Sequence, residues 1–158
     1  MAKKVKVKGK KEKVLGPLGK VPKFKTADMA AKWIAAQVKA GRWEKGGLAF
    51  AHEDTEGGNF YKEEVDVTDP MAASFCAIGF VTKADQGFED EIGEELCLLL
   101  SGGEPLNDPS DWAGAGIIDG WNDSPKRKAS EVAKAFQLVA KRIQIRREYE
   151  KKLAQIKL

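Results

Sequence analysis

The sequence predicts a mostly α fold: a small helical domain of about four helices with one β-hairpin, a basic N-terminal arm and a long basic C-terminal helix. Three observations carry that expectation. Apolar residues recur at three-and-four spacing or in near-continuous runs long enough for helices. One stretch, "GGLAFAHEDTEGGNFYKEEVDV", alternates instead and has turn chemistry at its centre. Charge is segregated: residues 1–25 hold ten lysines and one glutamate, 44–123 hold nineteen acids and three lysines, and 124–158 hold eleven bases and three acids.

The arm comes first. Residues 1–25 hold three glycines and two prolines among their lysines and have little apolar mass, so they are expected to be disordered. The alternation "KVKVK" can add a strand to a sheet but cannot bury a face alone. Thr26 then reads as the N-cap of "ADMAAKWIAAQVKA", with Ala30, Trp33, Ile34, Gln37 and Val38 on one side and Gly41 as the stop. The hairpin follows, with "DTEGG" as its turn. Asp69-Pro70 reads as an N-cap and first helical residue, ahead of "MAASFCAIGFVTKA". That run is apolar almost all round, which predicts a buried central helix. "FEDEIGEELCLLL" sets Ile92, Leu96, Leu99 and Leu100 on one face and stops at Gly102-Gly103. "EPLNDPSDWAGAG" is expected to be a loop with a turn after Asp108-Pro109. The last helix carries Val132, Phe136, Val139, Ile143, Tyr149, Leu153 and Ile156, and its distal half is expected to project.

A chain of 158 residues that is 42% apolar and 32% charged supports one modest core rather than several. The domain boundaries expected are 1–25 for the arm, 26–143 for the helical domain and 144–158 for a basic helical extension. The apolar runs are too short to span a membrane, and no apolar segment follows the first lysines as in a secretory signal, so the expected compartment is the cytoplasm. Cys76 and Cys97 are then expected to be buried, reduced thiols.

Three blocks stand out: "MAAKWIAAQVKAGRWEKGGLAF", "PMAASFCAIGFVTKA" and "GIIDGWNDSPKRKASEVAKAFQLVAKR". With Gly41-Arg42-Trp43, Cys76-Ala77-Ile78-Gly79 and Trp121-Asn122-Asp123 in that order, the chain resembles a small family of bacterial and bacteriophage domains of unknown function. The resemblance runs from Met29 to Arg142. It departs from the family at Phe80, where alanine is common. It implies a bacterial host cell or phage setting and no catalytic residue.

The candidate chemistry is sparse. Cys76, His52 and Asp123 form a conceivable nucleophile, base and orienting carboxylate for a Cys-dependent hydrolase. A thiol in an apolar run is ordinarily inert, however. Cys76, Cys97 and His52 lack the spacing of a zinc site, and Glu89, Asp90, Glu91, Glu94 and Glu95 lack the order of a calcium loop. No phosphate-cradling glycine motif occurs, so no metal and no cofactor is expected. Trp121, Asn122 and Asp123 read first as an apolar plug and caps for the last helix. With Trp43 they are also the expected site of the folded domain.

The basic ends are the strongest functional lead. Lys3, Lys4, Lys6, Lys8, Lys10, Lys11 and Lys13 form one cationic comb, and Arg142, Arg146, Arg147, Lys151 and Lys152 form another. Such combs hold DNA or RNA backbone phosphates without reading bases. The expected function is a non-catalytic accessory protein docking on nucleic acid or another anionic partner. The alternative is an adaptor or inhibitor of a host or phage protein. An oligomer formed through the last helix is a further expectation.

Overall fold

In the computed structural model, which describes residues 5–6, 13–55 and 59–156, five α-helices pack with a four-stranded antiparallel sheet. The fold is α+β, which corrects the expectation of a mostly α protein. The expected hairpin is present as β2 (Ala49–Thr55) and β3 (Asn59–Val65), with His52 opposite Lys62. Two more strands join it, giving the order β1-β3-β2-β4. β1 is Val5–Lys6, from the alternating "KVKVK", paired with Lys62 and Tyr61.

β4 is Ala72–Phe75, in the run expected to be helical. An unbroken apolar run fits a strand buried on both faces as well as a buried helix. Here the Asp69 carboxylate accepts from the Met71 N–H at 2.8 Å, and Ala72 N–H donates to Asp69 O at 3.0 Å. These bonds close a turn rather than start a helix. From Ala72 the chain pairs with β2, Ala49 opposite Phe75, Phe50 opposite Ser74 and Ala51 opposite Ala72, with Ala73 at a register shift, and all four residues of β4 are buried. The helix begins only afterwards, as α2 (Ala77–Lys83), and Cys76 is its N-cap rather than a mid-helix residue.

α1 (Ala27–Gln37) and α5 (Ala129–Ala154) form the helical side of the core. Ala27, Ala30, Ala31 and Ala35 give α1 a small-residue face, so α5 approaches closely with Val132, Ala133, Phe136, Ala140 and Ile143. α1 runs on into one widened turn, Val38–Arg42, which ends where Gly41 takes φ 88°. α3 (Glu89–Leu100) closes the layer and stops as expected: Gly103 N–H donates to Leu98 O at 2.8 Å around Gly102, φ 73°. Trp112 is buried after a short turn at Pro109–Asp111, and its indole N–H donates to Asp90 at 2.9 Å. α4 (Ile117–Asn122) has no counterpart in the sequence expectation.

Of the arm expected to be disordered, 13–25 lies along the body. Leu18 N–H donates to Ala72 O at 2.9 Å, and Arg42 donates to Gly16 O and Ala73 O, both at 2.8 Å. These contacts cover the outer edge of β4, which would otherwise offer unpaired backbone groups. Leu18 and Phe24 pack against the core, and Phe24 meets Trp33 at 5.6 Å between ring centres.

The basic residues of α5 divide into two sets. Arg142 and Arg146 both donate to the buried Glu95 carboxylate, and Arg146 also reaches Glu91 at 3.1 Å. Arg147 donates to Asp28 at 2.9 Å. Burial pushes the Asp28 carboxyl up, but hydrogen bonds from the Thr26 side chain and its own N–H, with the Arg147 and Lys32 charges, outweigh that and hold it below its usual range. Lys151 and Lys152 are exposed.

Glu95 is stranded if its cations go. We expect Arg142→Ala/Arg146→Ala to lose about 3 kcal/mol, because an uncompensated buried charge costs more than a broken surface pair. Urea unfolding checks this, and Arg147→Ala should cost distinctly less.

Candidate functional site

Asn122 is the last residue of α4, is 1% exposed, and does not cap the last helix. α5 has its own box, in which the Glu131 carboxylate accepts from Lys128 N–H at 2.8 Å. Asn122 works across the fold instead. Its Oδ1 accepts from the Trp43 indole N–H at 2.8 Å and from Ala77 N–H, the first residue of α2, at 3.0 Å. Its Nδ2 donates to Glu44 O at 3.3 Å and to Asp123 Oδ1 at 2.8 Å. Both donors and both acceptors of the amide are used. Asp123 Oδ1 also accepts from Gly46 N–H at 3.2 Å. The structure therefore brings together Trp43, Asn122 and Asp123. Trp121 takes no part in that hydrogen-bond cluster and carries the Arg127 guanidinium 4.4 Å from its ring centre.

The close approach of α2 to β2 explains the neighbouring glycine. A Cβ on Gly79 would sit 1.9 Å from Leu48 O, so only glycine lets the helix turn meet that strand backbone. Leu48 O also accepts from Cys76 N–H at 3.1 Å.

Trp43 forms one wall of a groove of about 470 Å³, whose rim includes Lys13, Glu44, Lys45, His52, Lys62 and Arg127. Cations outnumber the single acid, Glu44, which is held by Lys62 at 2.6 Å. Lys45 Nζ stands 5.4 Å from the Trp43 ring centre and donates to Ser124 O at 2.8 Å and Pro125 O at 3.4 Å. Arg127 is steadied by Trp121 O at 3.0 Å and Glu131 at 3.1 Å. His52 accepts from Leu15 N–H at Nδ1, 3.2 Å, which puts the ring proton on Nε2, 2.9 Å from Ser74 Oγ. The arm thus enters the site: Lys13 and Leu15 form part of its wall.

Sequence reasoning found Lys13 and Trp43 but missed Lys45, Lys62 and Arg127. A signal existed for two of them, since Lys45 and Lys62 are among only three cations in 44–123. Of the arm lysines, Lys3, Lys4, Lys8, Lys10 and Lys11 lie outside the described residues, and Lys6 lies in β1 on the sheet edge beside β3. Arg142, Arg146 and Arg147 are engaged by carboxylates on α3 and α1.

Cys76 lines a second, smaller pocket of about 260 Å³ with Glu64, Asp119 and Asp123. His52 belongs to the Trp43 groove, so the expected nucleophile and base open onto different recesses. Burial pushes the Cys76 thiol up to about 11, despite hydrogen bonds from the Gly79 and Ile78 backbone, and the Asp119 and Asp123 charges add to the rise. Burial, then the charge of Asp123, also raises the Asp119 carboxyl. Among the described residues no cluster of His, Cys, Asp and Glu could hold a metal ion, and no helix is long and apolar enough to cross a membrane. Compared with protein-family models, curated proteins and solved structures, the chain gives no match.

Asn122→Ala leaves the Trp43 indole and Ala77 amide without an acceptor, and we expect a loss of about 3 kcal/mol in urea unfolding. Cys76 should react with a thiol reagent at pH 8 about a hundredfold more slowly in native than in unfolded protein. Its raised thiol stabilises the fold below its ordinary value of 9.0. That contribution is lost as pH rises from there toward about 11, so Cys76→Ala should flatten the decline in stability over this window.

Proposed function

We propose that this protein is a non-catalytic docking protein that holds the phosphate backbone of a nucleic acid in the Trp43 groove. The observation that carries the reading is the groove itself: Lys13, Lys45, Lys62 and Arg127 converge on one concavity, and among the described residues its one acid, Glu44, is held by Lys62. Lys45 is held by backbone carbonyls and the Trp43 face, and Arg127 by Trp121 O, the Trp121 face and the solvent-exposed Glu131, so little side-chain freedom is lost when an anion arrives. An ammonium has three N–H donors, which leaves Lys45 able to meet a phosphate while keeping its carbonyls. The lysines of residues 1–25 add non-specific attraction for a phosphate backbone.

This reading moves the binding residues from the helix arginines to the groove. Arg142, Arg146 and Arg147 would have to leave Glu95, Glu91 and Asp28 before taking a phosphate. A Cys-dependent hydrolase is the weakest reading, since a thiol raised to about 11 supplies little thiolate at neutral pH.

Fluorescence anisotropy with labelled single-stranded DNA and RNA across a salt series tests it. The full chain should bind with an affinity that falls steeply with salt. Lys45→Gln/Arg127→Gln should reduce the slope of log affinity against log salt by about 1.5, from two lost phosphate contacts. Lys151→Gln/Lys152→Gln should change it little. Failure to bind at physiological salt, or an unchanged slope in the groove variant, overturns the proposal.

A further inference from the structure

A second surface is formed where α3 and α5 run together, away from the Trp43 groove. Leu138, Ile145 and Tyr149 on α5, and Ile156 just past its end, follow one another at intervals of seven, four and seven residues, which sets them on one line along the helix. They are 39%, 55%, 62% and 63% exposed, and they face away from the core stripe of Val132, Phe136, Val139 and Ile143. The line is about 25 Å long. Single exposed apolar residues are ordinary, but a continuous row on a projecting helix is not.

The row borders a recess of about 470 Å³ between the two helices, lined by Glu95, Leu98, Arg142, Ile145, Arg146 and Tyr149. Glu95 fixes both arginine heads there, so their aliphatic stems form a standing wall. On the opposite border of the row stand Lys134, Lys141 and Lys152, exposed and without an ion pair among the described residues, with Glu148 the one acid on the same stripe. The apolar line therefore has one cationic border, while on the α3 side the arginine charges are already balanced by Glu95 and Glu91.

We propose that this face docks an acidic amphipathic helix of a partner protein. The partner's apolar stripe fills the recess between Leu98, Ile145 and Tyr149, and its flanking carboxylates meet the lysine border. Charge complementarity selects this occupant over a second copy of the chain, because antiparallel pairing of α5 with itself sets lysine border against lysine border, whereas an acidic helix places carboxylates there. The recess also favours a helix over a bilayer, since a flat surface meets the exposed row but cannot reach into the cleft lined by Leu98. This inference is independent of nucleic-acid binding at the Trp43 groove.

The test uses the full chain and a labelled synthetic peptide of about five helical turns, with leucines at the same spacing and glutamates on its flanks. Control peptides have the same composition scrambled, or lysine in place of glutamate. The acidic amphipathic peptide should bind at least about tenfold more tightly than either control. Ile145→Ser/Tyr149→Ser changes only exposed side chains and should lose about tenfold in affinity with an unchanged circular dichroism spectrum. Lys45→Gln/Arg127→Gln should bind the peptide normally. Equal binding of the scrambled peptide, or an unaffected Ile145→Ser/Tyr149→Ser variant, overturns the proposal. So does a dimer in sedimentation, or binding to phosphatidylserine vesicles, that the same substitutions abolish.

Discussion

The side chain of Asn122 is the constraint on which the site depends. It meets a Trp side chain, a helix start, a loop carbonyl and a neighbouring carboxylate, and it is almost wholly buried. No apolar residue of similar size can replace it without leaving the Trp43 and Ala77 N–H groups unpaired in a dry environment. A carboxylate would keep the two acceptors but face Asp123 at hydrogen-bond distance and lose both donors. The amide alone supplies two donors and two acceptors without charge. It fixes the Trp43 ring, and through Glu44, Lys45 and Gly46 it fixes the lip of the groove.

The charge segregation of the sequence has two fates in the fold. The acids of α1 and α3 take up Arg142, Arg146 and Arg147, so much of the basic tail neutralises the chain's own acidic middle. Other cations gather at the Trp43 groove, as Lys13, Lys45, Lys62 and Arg127, and along the outer border of α5, as Lys134, Lys141 and Lys152. A net charge counted along the chain cannot distinguish these fates. Arg142 and Glu95 are 47 residues apart, and Arg147 and Asp28 are 119 apart. The attraction between them is a product of the fold and is stronger for being half out of water.

Much of the helical layout was legible because its signals are local. α1 starts at Thr26 and α3 ends at Gly102-Gly103 through hydrogen bonds among near neighbours, and the apolar spacing of α5 is visible over its whole length. The hairpin was legible for the same reason, with alternation on either side of a turn. The run after Asp69 was not, because its strand character comes from β2, more than twenty residues upstream, and not from its own pattern. Asn122 was misread for a related reason. An Asn before a basic helix looks like a cap whichever helix it caps, and its real partners are 45 and 79 residues away. The groove cations Lys45 and Lys62 lay in an acidic context that sequence averaging hides, and only the antiparallel register sets Lys62 across from His52.

Cys76 shows how magnitude decides between opposing effects at such a junction. It is the N-cap of α2, and a thiol at a helix N-terminus is commonly acidified by the dipole and by backbone N–H donors. The Gly79 N–H does donate to its sulfur, at 3.3 Å. Yet the thiol rises to about 11, because a seven-residue helix offers a modest field while Cys76 is 4% exposed and two carboxylates stand nearby. Desolvation of a thiolate then outweighs what the weak hydrogen bonds from the Gly79 and Ile78 backbone return. The residue serves as a small apolar cap that accepts one N–H without carrying charge. A serine there would accept the same bond but bring a hydroxyl donor that needs its own partner.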